Sequence, residues 1–169
     1  SLSIYGAIRE NPTEDNKPWI YSPILNTDTP QPNTAYGRSK LEAEKYLQSL
    51  TDFPFTILRP TGVYGPREKD YFLMASSIAG HVDFAVGYRP QEITFVYVMD
   101  VVQAVFRCMQ APQAVGRAYF LSDGQVYHSR RFSDLLQQEM GVKCVLHIKA
   151  PLWFLRVVCR ISTRLSKIT

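Results

Sequence analysis

In Phe55-Thr56-Ile57-Leu58-Arg59-Pro60-Thr61-Gly62-Val63-Tyr64-Gly65-Pro66-Arg67, an apolar run is followed directly by turn-forming residues. Residues 55–58 form an apolar run that predicts a buried strand. We expect the strand to end at Arg59-Pro60, because proline lacks the N–H that a central strand needs and because turn-forming residues follow. Ligands of open parallel sheets bind where strands end, so this turn is the first candidate for part of a binding site.

The sequence on either side alternates between predicted helices and strands. Strands are expected at 1–5, 93–97, 118–121 and 144–148. Helices are expected over about 35–50 with Asn33 or Thr34 as the cap, over Tyr71–Ala79 and Met99–Gln110, from Ser129 or Ser133 to Met140, and over 151–166. This alternation indicates an α/β fold with a largely parallel sheet. Residues 6–34 form a long, polar connection rich in proline, and a loop of that length is often functional.

The composition narrows the classes of function. The 169 residues fit one domain or part of a larger one. A net charge of +4 without any run of Lys or Arg is too mild to indicate nucleic acid. Cys108, Cys144 and Cys159 show no Cys-x-x-Cys spacing, so neither a metal site nor a disulfide framework is expected. Reduced thiols suit a cytoplasmic location.

Tyr36 and Lys40 are the pair of residues that points most directly to chemistry. They lie four residues apart in a predicted helix, so both side chains project from one face. Free tyrosine titrates near ~10, and a neighbouring cation favours the phenolate. The pair therefore suggests proton transfer to or from the oxygen of a hydroxyl or carbonyl group. The spacing alone has low specificity, and a surface tyrosine beside a solvated lysine is the alternative.

Four segments, in the same order along the chain, are similar to the motifs of one family. They are Ser1-Leu2-Ser3-Ile4-Tyr5-Gly6, Tyr36-Gly37-Arg38-Ser39-Lys40 with Glu42 and Glu44, Leu58 to Arg67, and Phe95 to Ala104. The chain resembles the extended short-chain dehydrogenase/reductase family, which includes the nucleotide-sugar epimerases and dehydratases and the 3β-hydroxysteroid dehydrogenases. The resemblance implies the C-terminal part of a Rossmann-like doubly wound parallel sheet with a small α/β substrate-binding lobe. Residues 1–61 and about 93–111 would belong to the nucleotide-binding core, and about 62–92 and 112–169 to the lobe.

The resemblance also implies roles for the catalytic residues. Tyr36 matches the general acid/base of the family, and Lys40 matches the partner that favours its ionisation and binds the nicotinamide ribose hydroxyls. Ser1 matches the catalytic hydroxyl that hydrogen-bonds the reacting oxygen. Ser3 is the second choice for that hydroxyl, and a terminal residue without a fixed position is the alternative for Ser1.

Pro60 and Thr61 match positions that face the nicotinamide in this family. Their place at the carboxyl end of a predicted strand agrees with that role. The alternative for Pro60 is a proline that only ends the strand.

The resemblance implies NAD or NADP as cofactor, with no metal. No Gly-x-Gly-x-x-Gly or Gly-x-x-Gly-x-x-Gly motif occurs in the sequence, although the family binds the pyrophosphate at such a turn. The chain also opens within a strand-like pattern, without an initiator methionine. We therefore expect a truncated fragment that lacks an upstream half, binds NAD(P) weakly by itself and is inactive alone.

The parent protein is expected to be an oxidoreductase or an epimerase/dehydratase that works by hydride transfer on a small molecule. The alternative is a non-catalytic NAD(P)-sensing or scaffold protein of the same fold, against which the intact Ser/Tyr/Lys set counts. Gly62 and Ile93 stand where nucleotide-sugar enzymes of the family have an asparagine and an arginine, which argues against a nucleotide sugar. Residues 95–98 look more like the 3β-hydroxysteroid dehydrogenase branch, which takes apolar substrates.

The segment 151–169 is basic and amphipathic. Packing over the substrate lobe is the favoured interpretation, and a helix on an anionic membrane surface is the alternative. A homodimer is left open by the sequence.

Overall fold

The computed structural model of the chain describes residues 1–6, 10–11, 20–87, 92–151 and 153. Its helices are α1 (Ala35–Ser49), α2 (Asp70–Ala79), α3 (Val98–Gln110) and α4 (Ser129–Glu139), with short 3-10 helices at Leu2–Tyr5 and Pro112–Ala114. Its strands are β1 (Glu10–Asn11), β2 (Ile20–Tyr21), β3 (Thr56–Pro60), β4 (Gly62–Tyr64), β5 (Val82–Val86), β6 (Glu92–Ile93), β7 (Phe95–Tyr97), β8 (Arg117–Leu121), β9 (Tyr127–His128) and β10 (Leu146–Ala150).

Parallel strand pairs dominate the structure. β3 pairs with β8, β4 with β7 and β5 with β10, all parallel, whereas the short β1 and β2 are antiparallel. A parallel pair needs a crossover connection, and α3 lies in the segment that joins β3 to β8. The predicted α/β class is therefore confirmed.

The chain divides into two compact units. The first contains Ser1–Pro66 and Glu92–Val126, and the second takes the described residues of 67–91 and those from Tyr127 onward. These limits differ from those expected from the sequence, which assigned 62–66 and 112–126 to the lobe. The pairing of the strands explains the difference, because β8 continues the sheet of β3 and β4 pairs with β7 inside the first unit.

The core of the first unit is built around the 3-10 helix and β3. Ile4 and Tyr5 are fully buried, and Ile57, Phe95 and Val96 are also buried. A strand was expected at residues 1–5, and that prediction is wrong. The backbone N–H of Ser3 donates to Ser1 Oγ (3.4 Å), and Gly6 takes a positive φ of 56° that ends the turn.

The second unit is held by a buried acid. Asp83 on β5 accepts hydrogen bonds from Ser133 Oγ on α4 (3.1 Å) and from His147 Nδ1 on β10 (2.9 Å). Arg130 Nη2 donates to His147 Nε2 (2.8 Å), so it is the Nδ1–H of the imidazole that donates to Asp83. One carboxylate thus ties together both strands and the helix that covers them.

Most predicted helices and strands are present with shifted ends. The strand expected at 144–148 lies at 146–150, because Leu146 opens the pairing with Val82. The strand expected at 93–97 is interrupted at Thr94, whose carbonyl oxygen accepts from the N–H of Gly62 (3.1 Å). The helix expected over 151–166 lies outside the described residues except for Pro151 and Trp153. Within the part of the chain that the structure describes, no helix is long and apolar enough to cross a membrane.

Candidate active site

A cavity of about 510 Å³ lies beside α1 and β3 in the first unit. Its lining includes the five residues that the sequence singled out, namely Ser1, Tyr36, Lys40, Pro60 and Thr61. Three separate segments supply them: the start of the 3-10 helix, the first turns of α1 and the carboxyl end of β3. The structure thus brings together side chains that are up to sixty positions apart in the sequence.

The helix α1 presents Tyr36 and Lys40 on one face of its first turns. The Oγ1 of Thr34 caps the helix by accepting from the N–H of Gly37 (3.0 Å), which fixes where the first turn begins. Lys40 Nζ lies 5.4 Å from the centre of the Tyr36 ring, within the range of a cation–π contact. The Tyr36 side chain is 58% exposed, so its phenol is accessible to a ligand in the cavity.

The two candidate serines are hydrogen-bonded to each other. Ser1 Oγ and Ser3 Oγ are 2.8 Å apart, and either hydroxyl can be the donor. Ser1 lines the cavity, and Ser3 contacts that lining through Ser1. The geometry therefore places Ser1 at the cavity, with Ser3 hydrogen-bonded to it.

Gly37 brings the serine segment against α1, and sequence reasoning gave it no role. A Cβ at this position would overlap the carbonyl oxygen of Ser3 and press on Pro32. Only glycine allows this close approach of the two backbones. A glycine in the first turn of a helix, directly after the candidate tyrosine, is the sequence signal that could have identified it.

Thr61 lies where β3 ends and carries an unusual hydroxyl group. Its backbone N–H donates to the carbonyl oxygen of Leu121 (3.0 Å), but its buried Oγ1 has no hydrogen-bond partner among the described residues. Buried polar groups are rarely left without a partner in native structures, and a bound ligand is one way to satisfy them. Thr61 also lines a second cavity of about 480 Å³ in the same unit, with the side chains of Ile24, Phe120 and Val126.

A buried ion pair lies next to the first cavity. Arg59 on β3 and Glu44 on α1 are 6% and 7% exposed, and their closest atoms, Nη2 and Oε2, are 2.6 Å apart. Burial alone would lower the pKa of Arg59, but the hydrogen bonds and negative charge of Glu44 outweigh it and raise the pKa. Burial also raises the pKa of Tyr5, whose hydroxyl oxygen accepts a hydrogen bond from Arg59 Nη1 (2.8 Å). Both charged residues lie in motifs that resemble the family, and the resemblance implies no function for either of them.

The parallel strands, the helices beside them and the cavity at the end of β3 define a protein of the Rossmann-like α/β class. The model of the NAD dependent epimerase/dehydratase family matches residues 1–122. The chain belongs to that family, and the resemblance drawn from its motifs is confirmed.

Curated and solved relatives agree with this assignment. The chain is 29% identical over 140 residues to a UDP-glucose 4-epimerase of Vibrio cholerae, a match that covers 80% of this chain and 40% of the relative. It is 27% identical over 124 residues to a 3-beta-hydroxysteroid dehydrogenase of Mycolicibacterium neoaurum, covering 65% of this chain and 34% of the relative. The chain thus spans less than half the length of these relatives.

One solved structure with the same fold contains UDP-glucuronic acid and NAD. It is the UDP-glucuronic acid 4-epimerase of Bacillus cereus in complex with UDP-glucuronic acid and NAD, with a TM-score of 0.70 and 19% identity. The superposition covers 90% of this chain and 46% of that enzyme. The nicotinamide dinucleotide predicted from the sequence is the cofactor on which the family depends.

Proposed function

We propose that this chain carries the acid/base part of an NAD(P)-dependent enzyme that oxidises or reduces a hydroxyl or carbonyl carbon by hydride transfer. The observation that supports the proposal most is the single cavity lined by Ser1, Tyr36, Lys40, Pro60 and Thr61. A phenol, an ammonium group and a hydroxyl around one space are the groups that such a reaction needs for its proton. Oxidoreductases, epimerases and dehydratases share this step.

Each side chain has a role that follows from its chemistry. Tyr36 as phenolate accepts the hydroxyl proton while the carbon is oxidised, and as phenol it returns the proton when a carbonyl is reduced. Lys40 keeps a positive charge beside the ring of Tyr36 and has N–H donors for ribose hydroxyls. Ser1 donates a hydrogen bond to the reacting oxygen. The nicotinamide, when bound, supplies the hydride acceptor or donor.

The residues of the cavity fit one end of NAD(P). The partnerless Oγ1 of Thr61 and the rigid backbone of Pro60 are suited to the carboxamide side, and Lys40 is suited to the ribose. The sequence has no glycine-rich turn for the pyrophosphate, and in this proposal residues outside this chain bind it.

Because the chain has residues for the nicotinamide end of NAD(P) but no pyrophosphate-binding turn, its affinity for the cofactor can be predicted. Residues 1–169 alone are expected to bind NAD(H) only weakly, because the pyrophosphate supplies much of the anchoring of a dinucleotide in this class of fold. A titration that follows nicotinamide fluorescence tests this. Micromolar affinity would show that the chain holds the dinucleotide by another route.

The two curated relatives suggest different substrates, a nucleotide sugar and a steroid. We favour an apolar alcohol or ketone, because Gly62 and Ile93 offer no polar side chain for a sugar nucleotide. Both residues lie in strands, β4 and β6, where their backbones are engaged in the fold.

A chimera tests the function directly. The part of the Vibrio cholerae relative that lies outside the match would be joined to residues 1–169, and NAD binding by the product would be checked first. Turnover is then followed by nicotinamide absorbance with nucleotide sugars and with apolar alcohols and ketones. Tyr36→Phe should lower kcat by about 100- to 10,000-fold, the usual contribution of a general acid/base.

Tyr46→Phe is the matched control, since Tyr46 lies on the same helix and is exposed to solvent. It should leave kcat unchanged. Equal turnover of the Tyr36→Phe chimera and its parent would overturn the role of Tyr36. A chimera that binds NAD but turns over neither class of substrate would favour the sensing or scaffold alternative.

A further inference from the structure

One side chain connects all three segments that carry the candidate catalytic groups. Arg59 belongs to β3, which ends in Pro60 and leads to Thr61. It bonds to Glu44 on α1 and to Tyr5 in the 3-10 helix, the two segments that carry Tyr36 with Lys40 and Ser1 with Ser3. No catalytic role is assigned to Arg59 in the proposed function.

The contacts of Arg59 use most of its donors. Nη2 donates to Glu44 Oε2 at 2.6 Å, and Nε lies 3.3 and 3.2 Å from the two carboxylate oxygens. Nη1 donates to the Tyr5 hydroxyl oxygen at 2.8 Å. The rings of Tyr5 and Phe120 have their centres 5.4 and 5.8 Å from the guanidinium carbon. The side chain is therefore fixed in direction as well as in place.

A gain in folding stability is a weak explanation for the buried ion pair of Arg59 and Glu44. Removing two charges from water is costly, and buried ion pairs are often no better for stability than apolar residues of similar volume. What a guanidinium adds is geometry, because its planar fork holds a carboxylate in one orientation. A lysine would keep the charge and lose that orientation.

The position of Glu44 transmits this geometry to the cavity. Glu44 follows Lys40 by one helical turn and Tyr36 by two, so the three side chains share one face of α1. All three line the same cavity. A rotation or shift of α1 at Glu44 therefore moves Tyr36 and Lys40 relative to Pro60.

We propose that Arg59 is a positioning residue that sets the distance between the acid/base pair on α1, the serines of the 3-10 helix and the end of β3. Arg59 acts through Glu44 on Tyr36 and Lys40, and through Tyr5 on the serines of the 3-10 helix. Its effect on turnover rests on the proposed function, whereas its effect on the position of Tyr36 does not.

The test uses the 169-residue chain labelled with 3-fluorotyrosine, with the ¹⁹F resonance of Tyr36 assigned by its loss in Tyr36→Phe. The variants are Arg59→Lys and Glu44→Gln, each checked by urea unfolding for a cooperative transition. Glu42→Gln is the control, because Glu42 forms an exposed ion pair with Lys45 (2.9 Å) on the same helix. Arg59→Lys and Glu44→Gln should shift or broaden the Tyr36 resonance, and Glu42→Gln should leave it in place.

A folded Arg59→Lys or Glu44→Gln chain with an unchanged Tyr36 resonance overturns the proposal. If Arg59→Lys does not fold, Glu44→Gln decides in its place. If neither variant folds, Arg59 serves folding and the positioning role is rejected.

The chimera with a nucleotide-binding half separates this inference from the proposed function. There Arg59→Lys should lower kcat by about 100-fold with KM little changed, since misplacement by ~1 Å has an effect of that size. If turnover by the parent chimera does not depend on Tyr36, the proposed function is contradicted. The ¹⁹F experiment then still tests the positioning role of Arg59 by itself.

Discussion

Thr61 and the serine pair show how much of the candidate site depends on single hydroxyl groups. The Oγ1 of Thr61 is buried without a partner in the described residues, and Ser1 and Ser3 satisfy each other. A hydroxyl can turn its hydrogen toward a ligand without moving the backbone. The site thus contains one hydrogen-bonded pair of hydroxyls, Ser1 and Ser3, and one hydroxyl, that of Thr61, without a hydrogen-bond partner in the described residues.

The serine pair gives a prediction at the scale of the residue. In the chimera, Ser1→Ala should lower kcat by about 100- to 1,000-fold, the usual effect of removing one donor to a developing oxyanion. Ser3→Ala should have a smaller effect, because Ser3 contacts the cavity lining through Ser1. Steady-state kinetics of the two variants side by side are the measurement, and the reverse order would make Ser3 the catalytic hydroxyl.

At the scale of the element, α1 is the helix on which the site depends. Its first turn carries Tyr36, its second Lys40 and its third Glu44, while Gly37 lets its backbone touch the serine segment. A helix places groups four residues apart on one face, so a displacement of α1 would move all three side chains together. The helix α1 thus carries the two candidate acid/base residues, and its position decides where they lie in the cavity.

Gly37→Ala tests this contact. Alanine is a better helix former than glycine by about 1 kcal/mol, so the substitution would stabilise an isolated helix. In this chain we expect the opposite, a loss of unfolding free energy, because the new Cβ overlaps the carbonyl oxygen of Ser3.

Chemical denaturation measures the effect, with Ser39→Ala as the control on the exposed side of α1. That control should stay within about 0.5 kcal/mol. A Gly37→Ala chain more stable than its parent would contradict the close approach of the two segments.

Local signals made some elements predictable and left others out of reach. The helix expected over about 35–50 is found at Ala35–Ser49, because its cap and its apolar spacing are encoded in neighbouring residues. The segment 1–5 was expected to be a strand, but a strand needs a partner and this one folds into a 3-10 turn. The pairing of β3 with β8 depends on residues far apart in sequence, which no local pattern shows.

The candidate site, like the fold, was predictable where the signal lies in local sequence and not where it depends on packing. Motif resemblance picked five of the residues that line the cavity, because such residues are quoted by identity and spacing. It did not single out Arg59, Glu44 or Tyr5 as a unit, since their link exists only after α1, β3 and the 3-10 helix pack together.

At the scale of the whole molecule, two phenols, the buried Tyr5 and the half-buried Tyr71, limit stability at high pH. Burial raises the pKa of Tyr5 in the first unit and of Tyr71 in the second above the ordinary value of 10.0. Between the unfolded and folded pKa the native chain holds these protons and the unfolded chain releases them. Their contribution to stability is therefore complete below about pH 10 and is lost as pH rises through the folded pKa.

Urea unfolding from about pH 8 to about pH 11 checks this dependence. The free energy of unfolding should fall over the upper part of that range, and Tyr5→Phe should make the fall shallower. Tyr46→Phe, at an exposed tyrosine, should not change the slope. An identical slope for the parent and Tyr5→Phe would contradict the raised pKa of Tyr5.

The parallel pairing of distant strands has a consequence for how this chain reaches its native state. β3 pairs Thr56 with Arg117, and β5 pairs Val82 with Leu146, so each strand is synthesised long before its partner. Contacts between distant residues slow folding, and unpaired apolar strands invite association with other chains in the interval. The same topology that gathers the candidate site at the end of β3 thus makes folding slow and yield sensitive to temperature and to the rate of synthesis.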